Sequence, residues 1–284
     1  MGVFIGMLII LAGVFGGFML EGGNIMVIIH AIGNEGLIIV GAGIGSFLIG
    51  NPGGILKIVM SNFSKVFKPS TASKQSFLDL LSLLYMIFTK IRKDGLISVE
   101  EDVEEPTKSA IFSKYKGLLA NHHLMNFITD NLKVIITTNM APHELDNLLE
   151  IDLEAHHHET AIPATAINTL SDSFPGLGIV AAVLGVVLTM GKMNEGPEEL
   201  GKSIGAALVG TFLGILLCYG FVGPMATNLG HKISDEGVFF SIVKVALVSF
   251  VGGAAPQIAV ESGRRAIPSS HRPSFAELEQ ATRK

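Results

Sequence analysis

The stretch FPGLGIVAAVLGVVLTM, Phe174–Met190, carries no Asp, Glu, Lys or Arg, and neither does IGAALVGTFLGILLCYGFVGPMATN, Ile204–Asn228. A hydrocarbon core of roughly 30 Å is crossed by about 20 apolar residues rising about 1.5 Å each, so both read as membrane-spanning helices. The short connection between them makes them neighbours in a hairpin. Small residues line both: Gly176, Gly178, Ala181, Ala182 and Gly185 in one, Gly201, Gly205, Gly210 and Gly214 in the other. The spacing Gly210-x-x-x-Gly214 lets helix backbones approach closely, and helix packing is the expected role of most of these glycines.

Two further apolar runs lie upstream. Val3–Leu20 has no ionisable residue, and the shorter Gly36–Gly50 carries Gly41, Gly43, Gly45 and Gly50. The composition agrees with four spans: 49% of the 284 residues are hydrophobic and only 16% are charged, against about 25% charged in soluble domains. A net charge of -5 gives no field suited to nucleic acid. The lone cysteine, Cys218, excludes an internal disulfide and reads as a small buried hydrophobe. The first run lacks the basic n-region of a secretory signal, so it is expected to persist as a helix.

Charge asymmetry sets the topology. Residues 51–171 hold 11 of the 20 Lys and Arg, residues 230–284 hold 7, and the other two are Lys192 and Lys202. Basic loops stay cytoplasmic, so residues 21–35 and the Lys192–Lys202 connection are expected outside, and both termini and the central region inside the cytoplasm. The expected organisation is then all-α and polytopic: residues 1–52 as spans one and two, 53–171 as a helical cytoplasmic domain, 172–229 as spans three and four, and 230–284 as a helical cytoplasmic tail. A further apolar run, Val238–Val260, contains Lys244 and Pro256 and would export the Arg-rich tail if it crossed. It reads instead as a helix with one face buried on protein.

In the central region Phe77, Leu80, Leu81, Leu84, Ile87, Phe88 and Ile91 recur at helical spacing along one face. Asp94-Gly95 ends that helix, and Ser98 with Glu101 fits a capping box that starts another. Pro175 and Pro224 lie near the ends of spans three and four, where each either kinks the helix or marks its boundary. Thr211, beside Gly210, offers a hydroxyl either to a pore or to its own helix backbone. The four runs contain no carboxylate, and Asp172 sits at a boundary as a solvated or capping group. Proton-moving proteins keep an ionisable group in the membrane, so if this chain belongs to a proton-driven machine, another chain must supply it.

Several segments are similar to the MotA subunits of the flagellar stator: VGAGIGSF at 40–47, GIVAAV at 178–183, VGTFLGILL at 209–217 and RPSFAELE at 272–279. The resemblance covers nearly the whole chain. It implies a homo-oligomer of several copies around a MotB dimer in the bacterial inner membrane. The MotB membrane aspartate would supply the missing carboxylate, and proton flow would be coupled to torque on the rotor protein FliG. By the same resemblance, Arg92 and Glu100 face the rotor, with Lys93 and Glu101 able to share the load, and Pro175 and Pro224 couple ion flow to shape. Sodium-coupled relatives are similar but have threonine where this chain has Ala182, which offers no oxygen ligand, so protons are the expected coupling ion.

The alternative class is a proton-channel subunit like ExbB and TolQ, which energise outer-membrane transport or envelope integrity. Those proteins have fewer spans. An enzyme is not expected: no nucleophile, base and orienter constellation and no full phosphate-binding Walker loop occurs. No cofactor or metal is expected either. His122-His123 and His156-His157-His158 are adjacent residues, whose side chains diverge by about 100° on a helix, and they read as solvated helical faces.

Overall fold

The computed structural model of the protein describes residues 2–138, 140–192, 194 and 196–283. Among the described residues the secondary structure is helical, with no strand. In chain order the helices are α1 (Gly2–Leu20), α2 (Ile25–Gly50), α3 (Gly53–Phe63), α4 (Lys74–Asp94), α5 (Glu100–Glu104), α6 (Lys116–Leu119) and α7 (His122–Thr137). They continue with α8 (Pro142–Met190), α9 (Pro197–Ile215), α10 (Gly223–Val251), α11 (Pro256–Arg265) and α12 (Phe275–Thr282). The chain forms two compact units, Met1–Pro69 with Ala161–His231 and Ser70–Thr160 with Lys232–Lys284.

The first unit contains the four apolar runs, each within a helix long and apolar enough to cross a membrane. α1 has no buried residue. Leu8 is 66% exposed, and Val187 and Leu188 on α8 are 62% and 71% exposed. Contiguous apolar surface of this kind is costly in water and is matched by lipid. Behind it, Ile39, Phe174, Ala181, Leu213 and Cys218 pack together, and Phe15 meets Phe212 edge to face at 6.2 Å.

α2 differs from expectation. Its helix starts at Ile25, eleven residues before the apolar run Gly36–Gly50, because the Asn24 side chain accepts from the Met26 N–H at 3.0 Å. Such a cap satisfies one of the free amides of a first turn. The apolar run Ile25–Ile29 then carries the helix through His30 and Asn34, which the sequence reading had placed in a loop. Glu35 consequently lies inside the helix, buried at 8% exposure.

The second unit has its own core. All seven expected α4 residues are buried in it. The Val238–Val260 run supplies much of the rest: Phe239, Phe240, Ile242, Val243, Ala246, Leu247 and Phe250 are buried, so its apolar face packs on protein as expected, but the run is not one helix, since α10 ends at Val251 and α11 starts at Pro256. Phe88 stacks on Phe250 at 4.3 Å, and Phe77 lies 4.7 Å from Phe239. Such pairs add about 0.5–1.5 kcal/mol each beyond area burial. Lys244 is held by Asp146 at 3.1 Å and by Glu150. Burial opposes its charge, but the two carboxylates outweigh burial and hold its pKa above the ordinary lysine value.

The RPSFAELE segment acts here as a stitch. Arg272 donates to the carbonyls of Ile267 and Arg265 at 2.8 and 3.0 Å. Ser274 and Glu277 form a capping box for α12, and Lys74, in the first turn of α4, pairs with Glu277 at 2.6 Å. That lysine, with the Ser274 backbone and hydroxyl, pulls the Glu277 carboxyl down to about 2.

The histidines depart from the expected solvated face in one respect. His156 is half-buried, its ring 4.0 Å from that of Phe240 and 6.0 Å from that of His123. Burial first, then the neighbouring His123 and His157, push its pKa below the ordinary 6.5. A histidine lowered in the folded state binds fewer protons than its unfolded counterpart, so its contribution to stability is complete at high pH and falls as pH drops below 6.5. The thermal midpoint of the detergent-solubilised chain is therefore expected to fall between about pH 7.5 and about pH 5.5. His156→Phe should flatten that slope, and an unchanged slope would remove His156 as its cause.

Candidate ion pathway and charged turn

In the first unit α8 and α9 meet backbone to backbone. A Cβ on Gly178 would stand 2.7 Å from the Gly210 carbonyl oxygen and 3.1 Å from the Gly214 Cα. On Gly214 it would stand 2.5 Å from the Phe174 carbonyl oxygen. One on Gly185 would strike the Ala207 Cβ at 2.7 Å. Small side chains allow such an approach, and dispersion between the closely packed surfaces holds it where lipid supplies no hydrophobic drive. The packing role expected of these glycines is thus present as direct α8–α9 contact.

Ala182 lies on this seam: its amide nitrogen is 3.1 Å from where a Gly210 Cβ would be. Thr211 follows Gly210 and is half-buried. Thr189 and Thr227 donate to the carbonyls of Gly185 and Gly223 at 2.8 and 3.1 Å. Among the described residues Thr211 makes no such bond, which leaves its hydroxyl available.

Both prolines are placed by the helices themselves. Pro175 lies well inside α8, so it does not mark an N-terminal turn. Lacking an N–H, it leaves the Ser171 carbonyl without its α-helical partner. Pro224 is the second residue of α10, which directly follows Leu216–Val222, a π-helical segment that joins α9 to α10. There the Gly223 N–H reaches back five residues to the Cys218 carbonyl, which also accepts from the Ser171 hydroxyl of α8 at 3.1 Å. The wide turn accommodates the amide that Pro224 lacks, and Ser171 clamps it. A Cβ on Gly223 would lie 2.8 Å from that carbonyl. The clamp borders an open cleft of about 590 Å³ lined by Asn168, Asp172, Tyr219, Pro224, Asn228 and His231 among others. The Asn228 Oδ1 is buried there without a hydrogen-bond partner, and Asp172 is exposed.

In the second unit Arg92 and Glu100 flank Gly95, whose φ of 86° and ψ of 167° stop α4; a side chain there would be strained. Both residues are exposed. Arg92 donates to the Gly253 carbonyl at 3.2 Å, and Glu100 begins α5, where a negative charge suits the helix dipole. The expected Ser98–Glu101 capping box does not form. Ser98 lies in a 3-10 turn, Leu96–Val99, and its hydroxyl donates to the Gly95 carbonyl at 2.6 Å. The brace comes from residues the sequence reading missed: Lys90 pairs with the buried Asp102 at 2.7 Å, and Ser109 donates to the other oxygen of that carboxylate at 2.5 Å. Asp102 was legible only as one acid in an acidic run.

With this geometry in place, comparison with known proteins is informative. Residues 4–95 match the motility protein A N-terminal family, and residues 119–239 match the MotA/TolQ/ExbB proton channel family. Motility protein A of Escherichia coli is 42% identical over 99% of this chain and 95% of its own length. Chemotaxis protein LafT of Vibrio parahaemolyticus is 34% identical over 98% and 96%. Among solved structures, C. jejuni MotAB has a TM-score of 0.77 at 20% identity, covering 96% of this chain and 98% of its own. The flagellar MotAB stator complex of Bacillus subtilis has a TM-score of 0.74 at 22% identity, covering 95% and 96%. At that identity the structural likeness concerns the fold.

A four-helix apolar unit that shares the proton-channel family of MotA, TolQ and ExbB defines a membrane channel subunit rather than an enzyme. Within that class the chain belongs to the motility protein A family, as the match of its N-terminal third and the 42% identity over nearly its whole length establish.

The glycine seam yields a direct test. Gly214→Val places methyl groups against the Phe174 carbonyl and is expected to abolish stable insertion or complex formation. Gly201→Val, where a Cβ meets nothing within 4 Å, should be tolerated. Membrane-fraction yield of the two variants checks this.

Proposed function

We propose that this chain is the channel-forming stator subunit of a flagellar motor, coupling proton flow to torque on the rotor protein FliG. Several copies surround a MotB dimer in the bacterial inner membrane, with both termini in the cytoplasm. The MotB aspartate supplies a carboxylate to the α8–α9 seam, where Ala182 and Thr211 border the ion path. Pro175 and Pro224, set inside α8 and beside a wide turn, let α8, α9 and α10 change shape as that carboxylate gains and loses its proton. Arg92 and Glu100 meet the rotor.

The observation that carries this reading is the charged turn. Arg92 and Glu100 stand exposed on either side of Gly95, while the ion pair Lys90–Asp102 fixes the backbone beneath them. Charges used for stability alone are usually paired within the fold. These two are exposed on a rigid turn and neither is matched by an opposite charge among the described residues, Arg92 donating only to the Gly253 carbonyl, as a surface that engages a passing complementary charge requires.

Glu100→Lys is expected to reduce swimming speed while leaving membrane insertion and MotB co-purification intact, and a reversed charge on FliG should restore part of the speed. Normal swimming of an Arg92→Glu, Glu100→Lys double variant would overturn the assignment. Proton coupling has its own check. Speed should follow the proton motive force and ignore external sodium, because Ala182 supplies no oxygen ligand, and a speed that tracks sodium at constant proton motive force would refute it.

A further inference from the structure

In the first unit, the segment that follows α2 keeps to one depth. α2 ends at Gly50, where the Asn51 side chain donates to the Phe47 carbonyl at 2.8 Å and so covers one of the free carbonyls of the last turn. Ile49, one residue earlier, is 90% exposed, so the apolar surface runs to the very end of the helix. α3 then extends for 11 residues, about 16 Å at 1.5 Å per residue, which would carry the chain well clear of a bilayer if the helix pointed away from it. Instead Phe67, at the end of the 3-10 turn Ser64–Phe67, lies 5.3 Å from Phe4, ring centre to ring centre. Phe4 stands in the first turn of α1. Two spans joined by the short turn between Leu20 and Ile25 cross in opposite senses, so α1 starts on the side where α2 ends. Residues 51–67 therefore begin and finish at the same membrane surface and lie along it.

Their side chains suit that position. No Asp or Glu occurs between Glu35 and Asp79, whereas Lys57, Lys65 and Lys68 fall within residues 51–69. Lys57, Met60, Ser61 and Ser64 are exposed at the three- and four-residue spacing of one helix face, while Val59 and Val66 are buried. Lys57 makes no ion pair among the described residues. Met60 is 79% exposed, and Phe63, whose ring meets that of Phe67 edge to face at 5.9 Å, is 40% exposed. A helix lying along a bilayer places such apolar groups in the acyl boundary, and lysine stems follow them while carrying the ammonium groups out to the headgroups. Zwitterionic headgroups have no net charge to offer. A basic segment without acids beside the end of a span is matched by headgroups of net negative charge.

We propose that α3 and the Ser64–Phe67 turn form a binding surface for anionic phospholipids, with Lys57 on the headgroup and Met60 and Phe63 in the acyl boundary. Lipid held there fixes the depth at which α1 begins and α2 ends. The inference rests on the membrane placement proposed above and is independent of the rotor reading.

The chain contains no Trp, so a single introduced Trp reports on its own lipid neighbours. The full chain carrying Met60→Trp is reconstituted in vesicles of equal parts phosphatidylcholine and phosphatidylglycerol, with brominated acyl chains on one lipid or the other to quench the indole. Phosphatidylglycerol should be favoured at this position by about fivefold or more. Adding Lys57→Gln should bring the ratio toward parity, Lys57→Arg should preserve it, and high salt should lower it. Leu20→Trp marks the opposite end of α1, where residues 1–35 hold no Lys or Arg, and both lipids should quench it equally. If Met60→Trp fails to insert, Phe63→Trp supplies the readout. Equal quenching by the two lipids at the α3 position, or a preference that Lys57→Gln leaves unchanged, would overturn the proposal. Quenching of Leu20→Trp with none on α3 would mean that protein, such as a second copy of this chain, covers the face, and would overturn it as well. Absence of quenching at both positions would defeat the membrane placement itself and the proposal with it.

Discussion

Everything in the first unit depends on how closely α8 approaches α9. Gly178, Gly210 and Gly214 bring the two backbones into direct contact, with the Phe174 carbonyl against Gly214. Because dispersion falls away over a fraction of an ångström, an added methyl group would forfeit the contact along the whole seam. The same approach brings Ser171 within reach of the Cys218 carbonyl, encloses the Glu35 carboxyl, and places Ala182 beside Gly210. A seam built from residues without side chains is therefore what organises the polar features around it.

The two units solve the burial problem differently. In the second, large side chains interdigitate: Phe88 on Phe250, Phe77 against Phe239, Phe127 against Phe240 at 5.2 Å. Charges there are paired where they are sheltered, as in Lys90–Asp102 and Lys244 with Asp146 and Glu150. In the first, many large apolar side chains face outward, and glycine, alanine and a few polar atoms share the interior with a small set of large side chains such as Ile39, Phe174 and Leu213. That inversion is what a lipid surrounding requires, since burial of apolar area earns little when the solvent is itself hydrocarbon.

Much of this was readable beforehand, for identifiable reasons. The α4 face was legible because seven apolar residues keep helical spacing, and the turn bearing Arg92 and Glu100 because Asp94-Gly95 ends a helix unambiguously. Glu35 was not, because His30, Asn34 and Glu35 look like loop residues in a linear reading; the Asn24 cap that starts α2 earlier acts through geometry. Pro175 could be read either as a helix boundary or as a residue inside the helix because hydropathy rises there, and the helix itself begins at Pro142. The Ser98–Glu101 pattern matched a capping box in spacing, but the positive φ of Gly95 set a 3-10 turn that drew the Ser98 hydroxyl backward. The Ser171–Cys218 clamp joins residues 47 positions apart, and no local pattern announces it.

The π-helical segment Leu216–Val222 also bears on which changes the chain can accept. A wide turn holds one more residue than an α-helical turn of the same rise, and each residue advances the helix by about 100°. Loss of one residue between 216 and 222 would let the helix return to the ordinary pitch with Pro224, Asn228 and His231 close to their present phase, but it would remove the long reach from the Gly223 N–H to the Cys218 carbonyl on which Ser171 closes. The hydropathy of the run would barely change. In this segment residue count is thus a tighter constraint than residue identity: exchanges among apolar residues leave the wide turn standing, whereas a single deletion removes it and the carbonyl position that Ser171 clamps.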